Sequence, residues 1–272
     1  MLDIQHFDDY ADRAFVEGNT LLEAGEIEQA IECYNHALSL DEGFTSAMFY
    51  KGVALVSLRR YDEAVCCYDL LLTCEPGDSE VLEYKGVALI EISHYEEALK
   101  CYLKALELEP RNGRILLKIG YIYQSCGNFA EALKYFEMSL ECEAGDKRTW
   151  YLKGLALAEQ GYVSGITFKF AEALKCFEKA LELAPDDLDV LKDKAKVLLA
   201  TGDNQGALAC YLKAFGLSPE DPFVIAALAK TYKLMNMQPE SLVYYKKLLE
   251  LNCDSNVNDD ARRLKDAINT NR

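Results

Sequence analysis

The amino-acid sequence predicts an all-α solenoid built from seven helix-turn-helix repeats. Small residues recur every 34 positions, and an alanine and an aromatic residue follow them at fixed distances. The prolines fall where a repeat of this kind would begin or end a helix. Half of the 272 residues are hydrophobic, while only 16 are glycine and 6 are proline. This composition favours packed helices over a turn-rich β-protein.

Three markers define the repeat. The small residues are Gly18, Gly52, Gly86, Gly120 and Gly154. Twelve residues after the first four come Ala30, Ala64, Ala98 and Ala132, and four residues further come Tyr34, Tyr68, Tyr102 and Phe136. In the fifth repeat Ala173 follows Gly154 by nineteen residues, so seven residues are inserted there, and Ala195 and Ala229 take the glycine position in repeats six and seven. A period that persists in this way indicates a repeat architecture.

Each period contains two segments with helical spacing of apolar residues. In the third period Val81 and Leu82 lie in the first segment, and Ala98, Tyr102 and Ala105 lie in the second. The small markers stand where two paired helices must approach closely. Prolines occupy one recurring place just past the second segment, where they end a helix: Pro76, Pro110, Pro185 and Pro219.

These features resemble the tetratricopeptide repeat family. The small, alanine, aromatic and proline markers carry the resemblance, together with Trp150, which matches the family's first-helix tryptophan. The resemblance covers residues 11–255. It implies a right-handed superhelix with a concave groove lined by the first helix of each repeat. The repeats must stack because a single helical pair cannot bury its apolar face alone.

The domain organisation follows from the same markers. The predicted repeats span 11–44, 45–78, 79–112, 113–146, 147–187 with the insertion, 188–221 and 222–255. Residues 1–10 form an N-terminal extension, which either leaves the groove open or fills it. Residues 256–272 carry an apolar stripe of Ala261, Leu264 and Ile268 and are predicted to form a C-terminal capping helix. The insertion, within 162–169, either lengthens both helices of its repeat or forms a protruding loop with an apolar tip.

The resemblance also implies which residues line the groove. In this family the second, fifth, sixth, ninth, twelfth and thirteenth residues of a repeat point inward. In repeats one to three these positions include Phe15, Asn19, Phe49, Tyr50, Val53, Tyr84 and Val87. In the later repeats they include Arg114, Lys118, Tyr121, Gln124, Arg148, Tyr151, Lys192, Lys196, Lys230 and Lys233. The predicted groove is therefore apolar in its N-terminal half and basic in its C-terminal half, with acidic exceptions at Glu80, Glu83, Asp189 and Asp193.

The sequence thus favours a scaffold or adaptor that binds an extended or helical peptide of a partner protein. The apolar part of the peptide would lie on the N-terminal half of the groove, and an acidic part on the basic half. One alternative is that these residues are simply solvated helix faces. Another is a self-assembling structural protein that forms homo-oligomers through the solenoid ends or the insertion.

Catalytic motifs are missing from the sequence. We find no phosphate-binding glycine loop, nucleophile elbow or zinc-protease helix, and His6, His36 and His94 are scattered. We therefore expect no enzyme activity, no cofactor and no metal. Five of the ten cysteines directly precede the core aromatic of a repeat, and we interpret them as small apolar side chains: Cys33, Cys67, Cys101, Cys176 and Cys210. A metal or redox role for the adjacent Cys66 and Cys67 is the alternative.

The charge and the N-terminus indicate the environment of the protein. The net charge is −16 and the pI is about 4.7, which disfavours binding to nucleic acid or to an anionic membrane. Residues 1–10 show neither the basic leader nor the apolar segment of a signal peptide. Ten cysteines without such a leader suggest reduced thiols. We expect a cytoplasmic protein.

Overall fold

The computed structural model describes residues 4–251, with side chains from residue 10 onward, and over this range the protein consists of fourteen α-helices and no β-strand. The predicted all-α fold is confirmed. The capping helix predicted at 256–272 lies outside the described residues, and the right-handed superhelix stays a prediction. The helices are α1 (Ile4–Glu23), α2 (Ile27–Leu40), α3 (Thr45–Ser57), α4 (Tyr61–Cys74), α5 (Ser79–Glu91), α6 (Tyr95–Leu108), α7 (Gly113–Ser125), α8 (Phe129–Cys142), α9 (Lys147–Ser164), α10 (Thr167–Leu183), α11 (Leu188–Ala200), α12 (Asn204–Leu217), α13 (Pro222–Leu234) and α14 (Gln238–Glu250).

The helices pack in consecutive pairs, within two compact units. Unit 1 ends at Cys142 and contains α1 to α8, and unit 2 begins at Glu143 and contains α9 to α14. In both units each odd-numbered helix packs against the even-numbered helix that follows it, and the second helix of a pair packs against the first helix of the next pair in the same unit. None of the described helices is long and apolar enough to cross a membrane.

Side-chain caps fix where most of the first helices begin. Asp78 accepts a hydrogen bond from the backbone N–H of Val81, and Asn112, Asp146, Asp187 and Asp221 cap the next four first helices in the same manner. These side chains satisfy N–H groups that have no partner inside the helix. First helices α3 to α13 accordingly begin at the residues where the sequence places the starts of repeats two to seven.

Helix α1 does not begin at the predicted boundary between the N-terminal extension and the first repeat. It begins at Ile4, inside the segment of residues 1–10 that the sequence assigns to an extension. Residues 4–10 contain neither glycine nor proline, so nothing in the local sequence stops the helix from continuing ahead of Ala11.

Close contact between a glycine and an aromatic ring joins the two helices of a pair. A Cβ atom at Gly86 would lie 2.6 Å from the ring of Tyr102, and one at Gly120 would lie 2.6 Å from the ring of Phe136. Both rings are fully buried. In these repeats glycine is therefore a steric requirement, since a side chain would displace the ring. Repeats six and seven differ, because they have Ala195 and Ala229 at this position and still bury Tyr211 and Tyr245.

The seven inserted residues lengthen both helices of the fifth repeat. Helix α9 has 18 residues and α10 has 17, whereas the next pair, α11 and α12, has 13 and 14. The turn between them is short, because Gly165 ends α9 with a left-handed φ of 71°. Of the two alternatives that the sequence leaves open, longer helices are correct and a protruding loop is wrong.

The hydroxyl groups of the core tyrosines differ from repeat to repeat. The Tyr34 hydroxyl donates a 2.8 Å hydrogen bond to Oδ1 of Asn19. The hydroxyls of Tyr68 and Tyr102 are buried and find no partner among residues 10–251. Val53 and Val87 occupy the position that Asn19 has in the first repeat, and neither side chain can accept a hydrogen bond. Burial raises the pKa of Tyr34 to about 12, so its hydroxyl remains a donor at neutral pH.

This difference predicts opposite effects for the same substitution. Tyr34→Phe should lower the free energy of unfolding by about 1 kcal/mol, because Asn19 loses its donor. Tyr68→Phe and Tyr102→Phe should leave stability unchanged or raise it, because each removes a buried polar group that has no partner. Urea unfolding followed by circular dichroism would measure all three. A Tyr68→Phe variant as unstable as Tyr34→Phe would show that this account of the core is wrong.

Candidate functional site

A row of aromatic rings lies along the first helices of unit 1. Helix α1 contacts α3, and α3 contacts α5, so their side chains share a surface. The ring centroids of Phe15 and Tyr50 lie 5.6 Å apart, those of Tyr50 and Phe49 lie 5.6 Å apart, and those of Phe49 and Tyr84 lie 5.0 Å apart. All three contacts are edge-on, the arrangement that aromatic pairs favour. We call Phe15, Phe49, Tyr50 and Tyr84 the aromatic face.

The aromatic face is fixed to the core on one side and open to solvent on the other. Phe15 and Phe49 are half-buried, each with its ring centroid 6.1 Å from that of a buried core tyrosine. Tyr50 and Tyr84 keep 39% and 36% of their surface exposed. Neither hydroxyl group hydrogen-bonds to any residue that the structure describes. The structure therefore brings together these four residues on one partly exposed surface, and their role as groove residues stays a prediction.

The other predicted groove residues of unit 1 are either paired with another side chain or half-buried. Asn19 is occupied by its hydrogen bond from Tyr34. Arg114 is exposed, and its guanidinium group donates to the carboxylate of Glu83 at 3.1 Å. The remaining predicted residues in this unit are half-buried: Val53, Val87, Lys118, Tyr121 and Gln124.

In unit 2 the aspartates among the predicted groove residues, Asp189 and Asp193, form ion pairs with part of the predicted basic surface. The Asp193 carboxylate accepts hydrogen bonds from the Tyr151 hydroxyl at 2.7 Å and from the Lys196 ammonium at 2.8 Å. Lys192 pairs with Asp189 at 2.9 Å and with Asp221 at 3.8 Å. Burial, followed by the bond to Asp193, raises the pKa of Tyr151, so its hydroxyl stays protonated.

Three predicted cations of unit 2 remain available. Arg148, Lys230 and Lys233 are exposed and form no ion pair with any acid in residues 10–251. With Lys192 and Lys196 they form a group that we call the cationic residues. Exposed cations without partners retain their full charge for a ligand.

Phe223, which is absent from the predicted groove residues, lies beside two of these cations. Its ring is 45% exposed, and the ammonium groups of Lys196 and Lys192 lie 4.9 and 5.9 Å from the ring centroid. Both distances are within the range of a cation–π contact. Phe223 is the second residue of the seventh predicted repeat, one of the positions that point inward in this family, so the same rule could have found it.

Two stacked tyrosine pairs, which the repeat pattern alone did not predict, join the two helices of repeats four and seven. Tyr123 stacks on Tyr135 and Tyr232 stacks on Tyr244, both with ring centroids 5.5 Å apart. Tyr135 and Tyr244 occupy the position that holds cysteine in the other repeats. The partner tyrosine stands three residues after the small marker in both cases. Where tyrosine replaces cysteine on the second helix, a second tyrosine on the first helix of the same pair stacks on its ring.

The cysteines lie where the repeat places them. Cys67, Cys101 and Cys176 are buried, Cys33 and Cys210 are half-buried, and all nine cysteines in the described range are free thiols. Burial raises the pKa of Cys67 and Cys101, which keeps these thiols protonated and poorly reactive. Over the described part of the chain, no group of histidine, cysteine, aspartate and glutamate residues is arranged to hold a metal ion.

Comparisons with known proteins agree with the fold. Residues 15–79, 113–142 and 167–231 match family models described as tetratricopeptide repeat, and residues 86–127 match a model described as TPR repeat. No curated protein sequence matches the chain.

Solved structures with similar folds share little sequence with the chain. A tetratricopeptide repeat protein from Parabacteroides merdae superposes with a TM-score of 0.69 at 18% identity, covering 94% of this chain and 98% of that one. The C-terminal part of a TPR repeat-containing protein from Cytophaga hutchinsonii gives 0.67 at 20% identity, covering 91% and 98%. YrrB, a TPR protein with an unusual peptide-binding site, gives 0.55 at 20% identity, covering 72% and 98%.

The helical pairs and the matched models occupy the same stretches of sequence. The four models match residues in both compact units, and the three markers of the repeat recur through each matched region. The protein belongs to the tetratricopeptide repeat family.

Proposed function

We propose that the protein is a non-catalytic cytoplasmic adaptor that binds a peptide segment of a partner protein on its first helices. The repeats and their structural relatives support a general role as a protein-interaction scaffold. The aromatic face is the observation that carries the more specific proposal. Free thiols throughout the described chain suit a reducing compartment.

The aromatic face has the properties of a binding surface. The partly exposed rings of Tyr50 and Tyr84 are joined through the half-buried ring of Phe49 into one aromatic surface, and contiguous apolar surfaces often mark interaction sites. Tyrosines are also frequent anchors of protein interfaces, because a rigid ring buries much area at little entropic cost. Tyr50 and Tyr84 have this character, and the rings beneath them hold them in place.

The cationic residues of unit 2 support an acidic segment in the partner. The chain carries a net charge of −16, yet three of these cations, Arg148, Lys230 and Lys233, are exposed and form no ion pair with an acid in residues 10–251, while Lys192 and Lys196 are paired with aspartates. Charge complementarity would increase the association rate and make binding sensitive to salt. The partner's apolar segment would use the aromatic face, and its acidic segment the cationic residues.

A peptide selection would test the aromatic face. Peptides selected from a random library on the wild-type protein should bind the Tyr50→Ala, Tyr84→Ala double variant at least about tenfold more weakly, because the two anchors are lost. Tyr162→Ala provides a matched control, since Tyr162 is 53% exposed and lies in the other unit. If every selected peptide binds the double variant as well as the wild type, the aromatic face is not the binding surface.

Charge reversal would test the cationic residues. Changing Arg148, Lys230 and Lys233 together to glutamate should weaken binding of an acidic peptide by at least about tenfold at low salt, and the loss should shrink as salt rises. The control changes three lysines of second helices in the same unit, Lys175, Lys179 and Lys246, and alters the net charge equally. Equal losses in both variants would mean that overall charge, and not these positions, controls binding.

The tip of the lengthened helical pair favours self-assembly as a second function. Val163, Ile166 and Phe168 keep 79%, 48% and 59% of their surface exposed. Residues 160–168 contain no charged side chain, and the ammonium of Lys169, 5.1 Å from the Phe168 ring centroid, is paired with Glu172 at 3.0 Å. Two copies would therefore meet there with little of the repulsion expected elsewhere on an acidic protein.

Self-association through this tip would depend on protein concentration. Sedimentation velocity over a concentration series should show reversible dimers for the wild type and monomers for a Val163→Ser, Phe168→Ser variant, because the apolar contact is removed. A wild-type protein that stays monomeric at all concentrations would exclude this function and leave the adaptor proposal intact.

A further inference from the structure

We propose that the tip of the fifth repeat, residues 162–168, docks into an apolar cavity in the second repeat of another copy of the protein. The inference rests on the self-assembly proposed above and deepens it, because it names the surface that receives the tip. The cavity and the tip are both departures from the regular repeat. Each leaves apolar side chains exposed, and the two fit each other in size, polarity and charge.

The cavity lies between the start of α3 and the end of α4 and has a volume of about 220 Å³. Its wall is mainly apolar and includes Phe44, Met48, Leu70 and Leu71. Leu70 is 56% exposed and the Cys74 thiol is exposed, so the cavity is open to solvent on that side. A solvent-accessible apolar cavity of this kind is suited to receive an apolar side chain.

Two exchanges against the repeat pattern supply the apolar wall. Phe44 stands where five later repeats carry a capping aspartate or asparagine, and α3 accordingly begins without a side-chain cap. Leu70 stands two residues after the core aromatic, where four other repeats carry lysine. The ring of Phe44 is held by packing on Phe15, with centroids 5.1 Å apart. The second repeat has thus replaced polar side chains with apolar ones at one place on its surface.

The tip supplies a side chain of matching size. Phe168 keeps 59% of its surface exposed, and Val163 and Ile166 on either side of the turn keep 79% and 48%. An apolar cavity of about 150 Å³ is enough to hold a molecule of benzene. The cavity of about 220 Å³ therefore has room for the side chain of Phe168, with Val163 and Ile166 left to cover the exposed Leu70.

Charge is also compatible with this contact. Glu42 is the one charged residue among the described residues that line the cavity, and it forms no ion pair within residues 10–251. Lys169 follows Phe168 and has the opposite sign, although it already pairs with Glu172 at 3.0 Å. Docking of the tip therefore brings no like charges together, whereas two identical tips would bring two copies of Lys169 together.

A contact between two different surfaces leaves every assembly with unused binding sites. A dimer formed in this way keeps one free cavity and one free tip, so further copies can add until a ring closes or an open chain grows. A contact between two tips would stop at the dimer. Because few side chains take part, the contact is smaller than the interface of a stable dimer, and assembly is reversible.

Two complementary thiol variants would test the inference by cross-linking. Both start from a protein with serine at Cys66, Cys126, Cys142 and Cys253, so that few other thiols can react. The cavity variant keeps Cys74. The tip variant carries Cys74→Ser and Thr167→Cys, which places a thiol beside Phe168 at an exposed position. With a short bis-maleimide we expect a covalent dimer only in the mixture of the two variants, joined between Cys74 and position 167 when analysed by mass spectrometry.

The other cross-linking results would overturn the inference. A covalent dimer of the tip variant alone would mean that two tips meet, so that self-assembly stands and the cavity is not its receptor. The absence of any product in the mixture would exclude docking of the tip into the cavity. A wild-type protein that stays monomeric in sedimentation velocity would remove self-assembly as well and leave the adaptor proposal intact.

Leu70→Lys would test the cavity without disturbing the fold. Lysine occurs at the same place in four other repeats, as Lys104, Lys179, Lys213 and Lys247, so the helix should tolerate it. We expect self-association measured by sedimentation velocity to weaken at least about tenfold, because the ammonium group makes the cavity polar. Leu108→Lys is the matched control, since Leu108 is 50% exposed on α6 and the charge changes equally. Equal losses in both variants would show that added charge, and not the cavity, controls assembly.

Discussion

The contact between a glycine on one helix and an aromatic ring on the next determines much of this structure. A Cβ atom would lie 2.6 to 2.7 Å from the ring at all five glycine markers, from Gly18 to Gly154. Such separations are possible only because glycine has no side chain, and the ring is fully buried between the paired helices. Repeats six and seven bury Tyr211 and Tyr245 with alanine at the same position. The ring then fills the space inside each helical pair.

The aromatic face is built on these same rings. Phe15 and Phe49 lie with their ring centroids 6.1 Å from those of Tyr34 and Tyr68, the rings that Gly18 and Gly52 also contact, so one buried tyrosine supports both the core and the surface row. The exposed rings of Tyr50 and Tyr84 are placed in turn by these contacts and by the tyrosines below them. A surface supported in this way loses little freedom when a ligand binds. The cationic residues of unit 2 contrast with it, since Lys192 and Lys196 are held by aspartates and Arg148 is not.

Sequence reasoning predicted the fold well because its evidence is periodic. Helix starts depend on local caps such as Asp78 and Asp187, which the sequence shows directly. The aromatic face was predictable for the same reason, since inward positions recur in every repeat. Pairwise contacts were not predictable in this way. Asn19 was predicted to line the groove, but its amide oxygen accepts a hydrogen bond from Tyr34. Asp193 was predicted as an acidic exception in the basic half of the groove, but it accepts hydrogen bonds from both Tyr151 and Lys196. Such partners depend on distances that no periodicity encodes.

The insertion in the fifth repeat shows where this architecture can accept additional residues. The extra residues lengthen α9 and α10 at the end where the two helices meet, and the small marker Gly154 keeps its contact with the ring of Phe177. The geometry that joins the pair is therefore independent of how far the helices continue past it. A repeat protein of this kind can acquire new surface by extending one hairpin beyond its neighbours, with its internal stacking unchanged. The turn at Gly165 and Ile166 is consequently the natural place to graft a foreign segment onto this scaffold.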